Sequence, residues 1–177
     1  LNQGFQRLTA LQDKCRAACQ DAQELFLTSY TPTVLNRLAP RANVVVHEGL
    51  TYGSDSRHRL DVFAPKDSSG PAPIVVFFHG GSWRSGERGI YRFLGTNLAA
   101  RGVAVVIPDY RLYPNVTFPG FMHDGADAVA WARANACDFG GDANHMFLMG
   151  HSAGAHMATL LALDATYLQE RRLAPDM

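Results

Sequence analysis

A serine flanked by glycines near position 152 has the clearest chemical potential in this sequence. The segment lies between an apolar, strand-like run and an alanine-rich, helix-like run, and it reads Gly150-His151-Ser152-Ala153-Gly154. A sharp turn from strand to helix leaves a serine hydroxyl exposed where a substrate carbonyl carbon can reach it. Glycines two positions before and after the serine suit such a turn, because the backbone segments approach too closely for side chains. We therefore predict that Ser152 is a nucleophile.

A second glycine-rich segment follows the apolar run at residues 74–78, and it reads His79-Gly80-Gly81-Ser82-Trp83. When a serine attacks a carbonyl group, the developing oxyanion needs hydrogen-bond donors that are already in place. We predict that the N–H of Ala153 supplies one donor. The others are the N–H groups of Gly80 and Gly81 or Ser82, because glycine lets backbone amides approach a substrate closely.

A serine hydroxyl is a weak nucleophile unless a histidine base removes its proton and a carboxylate orients that base. The sequence has seven histidines, and each is better explained by another role. We expect His79 to position its loop, His151 to form a wall of the site, and His156 to face away from the hydroxyl one helical turn later. We expect His123 on a helix surface and His145 at the start of a strand. His47 and His58 belong to the predicted hairpin. We therefore assign none of these histidines as the base.

Aromatic residues near the glycine-rich segments are candidates for a substrate pocket. Trp83, Tyr113 and Phe118 could line an acyl or aromatic pocket together with His151. The same rings could equally belong to an ordinary hydrophobic core, and the sequence leaves both interpretations open.

Two charged residues follow the apolar run at 103–107. Asp109 and Arg111 could mark the face that binds ligands, because ligands bind beyond the carboxyl ends of parallel strands. We favour a structural interpretation, in which ion pairs or hydrogen bonds hold this loop and Asp124 is the partner of Arg111.

Composition excludes several classes of protein. The 177 residues fit one domain, and 47% hydrophobic residues suffice for a core. Lys and Arg together number 16, as do Asp and Glu, so no net charge favours nucleic acid or an anionic membrane. No apolar stretch approaches the ~18 residues that cross a bilayer. We predict a soluble protein that binds a small molecule, with no nucleic-acid partner, no membrane span, no cofactor and no metal, and with a homo-oligomer left open.

The cysteines and the N-terminus bear on the compartment. Three cysteines in an unremarkable spacing (Cys15, Cys19 and Cys137) argue against a disulfide framework and favour reducing conditions. The sequence opens on Leu1 rather than Met, so we expect that its true start has been trimmed. The compartment is therefore left open: the cytoplasm is favoured, and a trimmed signal would allow a secreted or envelope protein.

Periodicity predicts an alternation of strands and helices. An amphipathic stripe predicts a helix over residues 1–28, and a second short helix covers 33–38. Strands at 43–50 and 59–63 form an antiparallel hairpin, and residues 66–73 form a surface loop. Three further strands alternate with three helices, which implies crossover connections and a parallel sheet covered on both sides. These strands are 74–78, 103–107 and 146–149, and the helices are 88–101, 119–136 and 153–163.

Together these segments resemble the α/β-hydrolases, specifically carboxylesterases similar to hormone-sensitive lipase, feruloyl esterases and kynurenine formamidase. The resemblance covers about residues 44 to 165. It is carried by the two glycine-rich segments and by residues 108–114, which read Pro-Asp-Tyr-Arg-Leu-Tyr-Pro. It implies an α/β fold with a mostly parallel sheet, an antiparallel N-terminal strand pair and helices on both faces. It also implies cleavage of carboxylic esters through an acyl-enzyme on Ser152.

Two departures from the family pattern open alternatives. The family's triad runs serine, acid, histidine along the chain. The resemblance therefore implies that the base and its acid partner lie beyond residue 177, that the C-terminal strands are missing here, and that this chain alone is inactive. A truncated, non-catalytic hydrolase acting as an interaction protein is therefore one alternative. Lipase-like members commonly carry a glycine where Ser82 stands, and Ser82 followed by Trp83 is similar to formamidase variants. A formamide or amide hydrolase resembling kynurenine formamidase is the other alternative.

We expect two parts, an N-terminal helical segment at 1–40 and the N-terminal portion of an α/β-hydrolase domain at 41–177.

Overall fold

Five strands form one mixed sheet with helices on both faces in the computed structural model, which describes residues 31–40 and 42–173, except for the side chains of residues 31 and 32. The predicted helix at 1–28 and two of the cysteines, Cys15 and Cys19, lie outside the described residues. None of the helices in the described parts of the chain combines the length and apolar character needed to cross a bilayer.

The strands are β1 (Val44–Thr51), β2 (Arg59–Pro65), β3 (Ala72–Phe78), β4 (Ala104–Pro108) and β5 (Gly141–Gly150). The helices are α1 (Thr31–Leu38), α2 (Arg92–Ala99), α3 (Gly120–Ala134), α4 (Ala153–Leu163) and α5 (Ala165–Gln169). Two short 3₁₀ turns, Arg88–Tyr91 and Ala136–Phe139, precede α2 and β5.

The strands lie in the order β1-β2-β4-β3-β5. β2 is antiparallel to both β1 and β4, whereas β3 is parallel to β4 and to β5, so β2 alone runs against the other strands. The predicted antiparallel pair and the mostly parallel sheet are therefore confirmed. Because β3, β4 and β5 share one direction, their carboxyl ends, at Phe78, Pro108 and Gly150, lie along one edge of the sheet.

Apolar side chains cover both faces of this sheet because successive residues of a strand point to opposite sides. On one face, alternate residues of β2 and β3, such as Leu60, Val62 and Ile74, pack against α3 and α4. On the other face, Phe63, Phe77 and Val105 pack around Ala99 of α2. Strands buried on both faces read as continuous apolar runs, and the sequence of β4 is one.

Several boundaries differ from the sequence prediction. The loop expected at 66–73 ends early because Ala72 pairs with Gly141, and the same pairing extends β5 toward the N-terminus beyond the expected 146–149. The helix expected at 88–101 is a 3₁₀ turn followed by the shorter α2. The helix expected at 153–163 has the predicted bounds.

Leu60 is fully buried in the larger core, so we expect Leu60→Ala to lower the free energy of unfolding by about 2–5 kcal/mol. Leu163, which is 81% exposed, provides the matched control, and Leu163→Ala should change stability by about 0.5 kcal/mol or less. Urea denaturation measures both changes. Equal losses from the two variants would contradict the described core.

Candidate active site

The turn between β5 and α4 is abrupt, because β5 ends at Gly150 and α4 begins at Ala153. Only two residues reverse the chain, and the second, Ser152, adopts φ 51° and ψ −116°. Such a positive φ is unfavourable for a residue with a side chain and costs on the order of 1–3 kcal/mol. The Ser152 side chain is exposed and makes no hydrogen bond within the described residues.

Two glycines allow the turn to pack against the end of β3. A Cβ atom on Gly150 would overlap the backbone carbonyl group of Gly154, and one on Gly154 would overlap the carbonyl oxygen of Phe78. The N–H of His151 donates to the same Phe78 oxygen over 3.1 Å. Backbone therefore contacts backbone here, and no larger residue fits at either glycine.

The loop after β3, residues 79–86, is called the glycine loop below, and it lies against this turn. A Cβ atom on Gly80 would lie 2.7 Å from Nδ1 of His151 and 3.4 Å from Cβ of Ser152. Positive φ continues along the loop, at 126° for Gly81, 52° for Ser82 and 57° for Trp83. The structure thus brings together the two segments that the sequence singled out.

Three backbone amides at this junction donate no hydrogen bond within the described residues: those of Gly81, Ser82 and Ala153. The amide of Gly80 differs, because its N–H points to the Tyr91 hydroxyl oxygen 3.4 Å away. Unpaired N–H groups near an exposed hydroxyl can accommodate a negatively charged oxygen.

His79 is fully buried beneath the loop and holds it in place. Its Nδ1 lies 2.8 Å from the Gly80 carbonyl oxygen, and its ring stacks on Tyr110 with centroids 4.3 Å apart. Its Nε2 lies 3.5 Å from Oδ1 of Asp109. Burial lowers the pKa of His79, and the Gly80 carbonyl and Asp109 oppose that shift only in part. His79 therefore sits under the loop as a neutral ring.

Asp109 lies just past β4 and accepts several hydrogen bonds. Arg88 donates its backbone N–H to Oδ1 over 2.7 Å and its guanidinium to Oδ2. The Arg88 Nε also donates to Asp61 over 2.8 Å. These contacts agree with the structural role favoured for Asp109.

Arg57, which the sequence analysis did not single out, ties the hairpin turn to the glycine loop. Its Nε donates to the carbonyl oxygen of Tyr110 over 2.8 Å, and its Nη2 donates to that of Gly86 over 3.0 Å. Nη2 also lies 3.8 Å from Asp109. In the sequence, Arg57 is distinguished only by its position beside a predicted turn, and that position does not identify its hydrogen-bond partners.

The predicted pairing of Arg111 with Asp124 is confirmed. The Arg111 Nη2 donates to Oδ1 of the fully buried Asp124 over 2.6 Å, and the Arg111 backbone N–H donates to Oδ2 over 2.9 Å. His58 lies on the other side, with Nε2 3.2 Å from Oδ1. This cluster fixes the segment after β4 against α3.

No histidine within the described residues hydrogen-bonds to the Ser152 hydroxyl. His151 Nδ1 lies 2.8 Å from the Tyr91 hydroxyl, and the His156 ring meets Trp83 edge-on at 5.4 Å. The others lie elsewhere: His123 beside Glu170, His145 beside Asp142, and His47 exposed on β1.

A pocket of about 230 Å³ opens beside the glycine loop. It is lined by Ser82, Trp83, Arg84, Tyr113, Val116, Thr117, Phe118 and Phe121. Tyr113 and Phe118 are 46% and 57% exposed, and Trp83 stacks on Phe121. Tyr113 and Phe118 therefore line a surface pocket, whereas Trp83 both lines this pocket and packs against the core.

A larger apolar cavity of about 470 Å³ lies along β5 and α4, between residues such as Phe147 and Leu163. It includes neither Ser152 nor any residue of the glycine loop. We place the candidate site where the glycine loop meets the turn, because the exposed Ser152 hydroxyl and the unpaired N–H groups of the described residues lie close together there. The smaller pocket adjoins this site through Ser82 and Trp83, and Ser152 is not part of its lining.

The strand order and the strained serine between strand and helix together define an α/β-hydrolase. Comparison with known proteins gives the particular family. The chain belongs to the BD-FAE family, which it matches over residues 60–173.

Relatives and solved structures agree with this assignment. The chain is 38% identical to isoprenylcysteine alpha-carbonyl methylesterase ICME of Arabidopsis thaliana, covering 67% of this chain and 28% of the relative. It is also 38% identical to esterase LipC of Mycobacterium tuberculosis, covering 82% and 36% respectively. The structure of esterase B from Lactobacillus rhamnosis superimposes with a TM-score of 0.71 at 25% identity, covering 94% of this chain and 53% of that one. The chain thus spans about a third of the length of these curated relatives.

Backbone strain at the turn should be measurable. We expect Ser152→Gly to raise the free energy of unfolding by about 1 kcal/mol, because glycine tolerates the positive φ and the relief exceeds its entropic cost. Ser69 is exposed on a loop without a positive φ, so Ser69→Gly should lower stability by about 0.5 kcal/mol. Urea denaturation compares the two, and equal losses would contradict strain at Ser152.

Arg57 should stabilise the loop, unlike its neighbour in the hairpin. We expect Arg57→Gln to lower the free energy of unfolding by about 1–3 kcal/mol, because the carbonyls of Tyr110 and Gly86 lose their donors. Arg59 donates only to exposed groups of β1, so Arg59→Gln should cost about 0.5 kcal/mol or less. Thermal or urea unfolding measures both changes. An unchanged free energy of unfolding in Arg57→Gln would contradict the stabilising role of Arg57.

Proposed function

We propose that the protein containing this chain is a serine hydrolase that cleaves carboxylic esters through an acyl-enzyme on Ser152. The observation that carries the proposal is the exposed Ser152 hydroxyl on a strained turn, next to backbone N–H groups that have no partner among the described residues. In this reaction the serine oxygen bonds to the carbonyl carbon, the alcohol leaves, and water then hydrolyses the acyl-enzyme. The esterase names of the matched relatives support the same activity.

In this proposal, the N–H groups of Gly81, Ser82 and Ala153 stabilise the oxyanion. They come from the ends of two different strands, and each has its hydrogen-bonding capacity unused within the described residues. Gly80 was a candidate on sequence grounds, but its N–H is directed to the Tyr91 hydroxyl. We assign Gly80 mainly to the close approach of loop and turn, which a side chain would prevent.

We infer that the general base and its acid come from outside these 177 residues. All seven histidines of the sequence lie within the described residues, and none of their rings hydrogen-bonds to the Ser152 hydroxyl. The curated relatives are about three times as long as the matched region, which leaves room for both groups. The 177-residue chain alone should therefore not turn over an ester.

We assign Trp83 and Tyr113 to the aromatic side of the substrate site, and His151, which does not line that pocket, to the wall beside Ser152. The aromatic side can bury an apolar part of a small substrate, since its lining includes Phe118 and Phe121. Its volume of about 230 Å³ is below the range usual for a whole drug-sized ligand, so it suits a single substituent.

The test uses the protein expressed from its complete gene, with Ser152→Ala as the variant. We expect a fluorophosphonate probe to label the wild type and not the variant. Hydrolysis of short p-nitrophenyl esters should fall by a factor of about 10⁶, because no other described group replaces the nucleophile. Ser69→Ala, which changes an exposed loop serine, is the matched control and should leave both readouts unchanged.

Two results would overturn the proposal. Exclusive activity on N-formylkynurenine would favour a formamide hydrolase over an esterase. Absence of labelling at Ser152, with no hydrolysis of either substrate by a stable protein, would favour a non-catalytic interaction protein.

A further inference from the structure

Tyr91 contacts both halves of the candidate site through one oxygen atom. Its hydroxyl lies 2.8 Å from Nδ1 of His151, in the turn after β5. The same oxygen accepts the N–H of Gly80, in the loop after β3, over a longer 3.4 Å. Tyr91 itself belongs to neither segment, because it ends the 3₁₀ turn before α2.

The donors and acceptors in this chain of three groups can be assigned. A backbone N–H can only donate, so the Tyr91 oxygen accepts from Gly80. Burial raises the pKa of Tyr91, with the Gly80 hydrogen bond opposing it, so the phenol keeps its proton. Among the described residues, Nδ1 of His151 is the neighbour that can accept that proton, at 2.8 Å. An imidazole nitrogen that accepts a hydrogen bond carries no proton, so this arrangement favours the tautomer of His151 with its proton on Nε2.

The two edges of the His151 ring face different surroundings. Nδ1 lies against Tyr91 and Gly80. It is 2.8 Å from the Tyr91 hydroxyl, and a Cβ atom on Gly80 would lie 2.7 Å from it. The side chain as a whole is exposed, and Nε2 has no hydrogen-bond partner among the described residues, so this nitrogen is available to a ligand. His151 directly precedes Ser152 and both residues are exposed, so the two side chains belong to the same turn beside the proposed nucleophile.

We propose that Tyr91 is a positioning residue that holds His151 with its proton on Nε2, so that His151 donates a hydrogen bond to a substrate oxygen other than the reacting carbonyl. This inference rests on the proposed esterase function. The substrate class it implies is an ester with an additional oxygen acceptor, such as an ether, hydroxyl or carboxylate oxygen, close to the cleaved bond.

The ring of Tyr91 is held independently of its hydroxyl. It packs against Phe77 at 4.8 Å and Phe93 at 6.3 Å between centroids. Tyr91→Phe therefore removes the hydroxyl and leaves the ring packing in place. Tyr167→Phe is a matched control, because its hydroxyl forms no hydrogen bond among the described residues.

The first measurement is the tautomer of His151, read by long-range ¹⁵N–¹H NMR of the complete protein labelled at histidine. The signal is assigned by its loss in His151→Phe. We expect the proton on Nε2 in the wild type and in Tyr167→Phe, and a mixture of tautomers in Tyr91→Phe. A proton on Nδ1 in the wild type, or no change in Tyr91→Phe, would overturn the positioning role whether or not the protein hydrolyses esters.

The second measurement is a preference for oxygen in matched esters. Methoxyacetate and butyrate p-nitrophenyl esters differ by an ether oxygen in the acyl part, and methoxyethyl and butyl acetates differ likewise in the alcohol part. For each pair, the ratio is kcat/KM of the ester with the ether oxygen divided by kcat/KM of the ester without it. We expect this ratio to fall about five-fold for one pair in both Tyr91→Phe and His151→Phe, which is the effect of one hydrogen bond. Comparing the ratio between variants cancels the intrinsic reactivity of each ester.

The outcomes separate this inference from the proposed function. Unchanged ratios for both pairs, in a protein that hydrolyses esters and labels at Ser152, would overturn the donor role of His151 alone. A protein that hydrolyses none of the four esters would overturn the donor role together with the esterase function, whereas the tautomer measurement would still decide the role of Tyr91.

Discussion

The close backbone contact between the end of β3 and the turn after β5 is the constraint on which the site depends. The carbonyl oxygen of Phe78 accepts the N–H of His151 and leaves no room for a Cβ on Gly154. Because β3 and β5 are adjacent and parallel, this contact also fixes the distance from the glycine loop to Ser152. Two segments about 70 residues apart thereby share one small volume of space.

Buried charges support the same edge of the sheet. Asp61, Asp109 and Asp124 are each nearly inaccessible, and a buried carboxylate is tolerated only when it is paired and hydrogen-bonded. Three arginines from different segments between the strands provide the pairing: Arg57, Arg88 and Arg111. The cluster therefore joins the hairpin, the glycine loop and the segment after β4, and it gives the loop a defined position despite its unusual backbone angles.

Much of the fold could be predicted from local sequence, whereas the long-range contacts could not. The apolar runs of β3 and β4 predicted strands because both faces are buried, and the glycine spacing predicted the turn. β5 was predicted too short, because it lies at the edge of the sheet within the described residues and half of its side chains are accessible, so its first residues read as a loop. Tyr91 and Arg57 contact partners 60 and 53 residues away, and no local pattern encodes such pairings.

The strained conformation of Ser152 has a thermal consequence. Its backbone is held by tight packing of glycines and by one hydrogen bond to β3, whereas the sheet is held by two extensive apolar layers. As temperature rises, the turn can relax to an ordinary dihedral angle while the sheet is still intact. Any function that needs the serine in this conformation would then be lost several degrees before the protein melts, and inactivation would report on one turn rather than on the whole molecule.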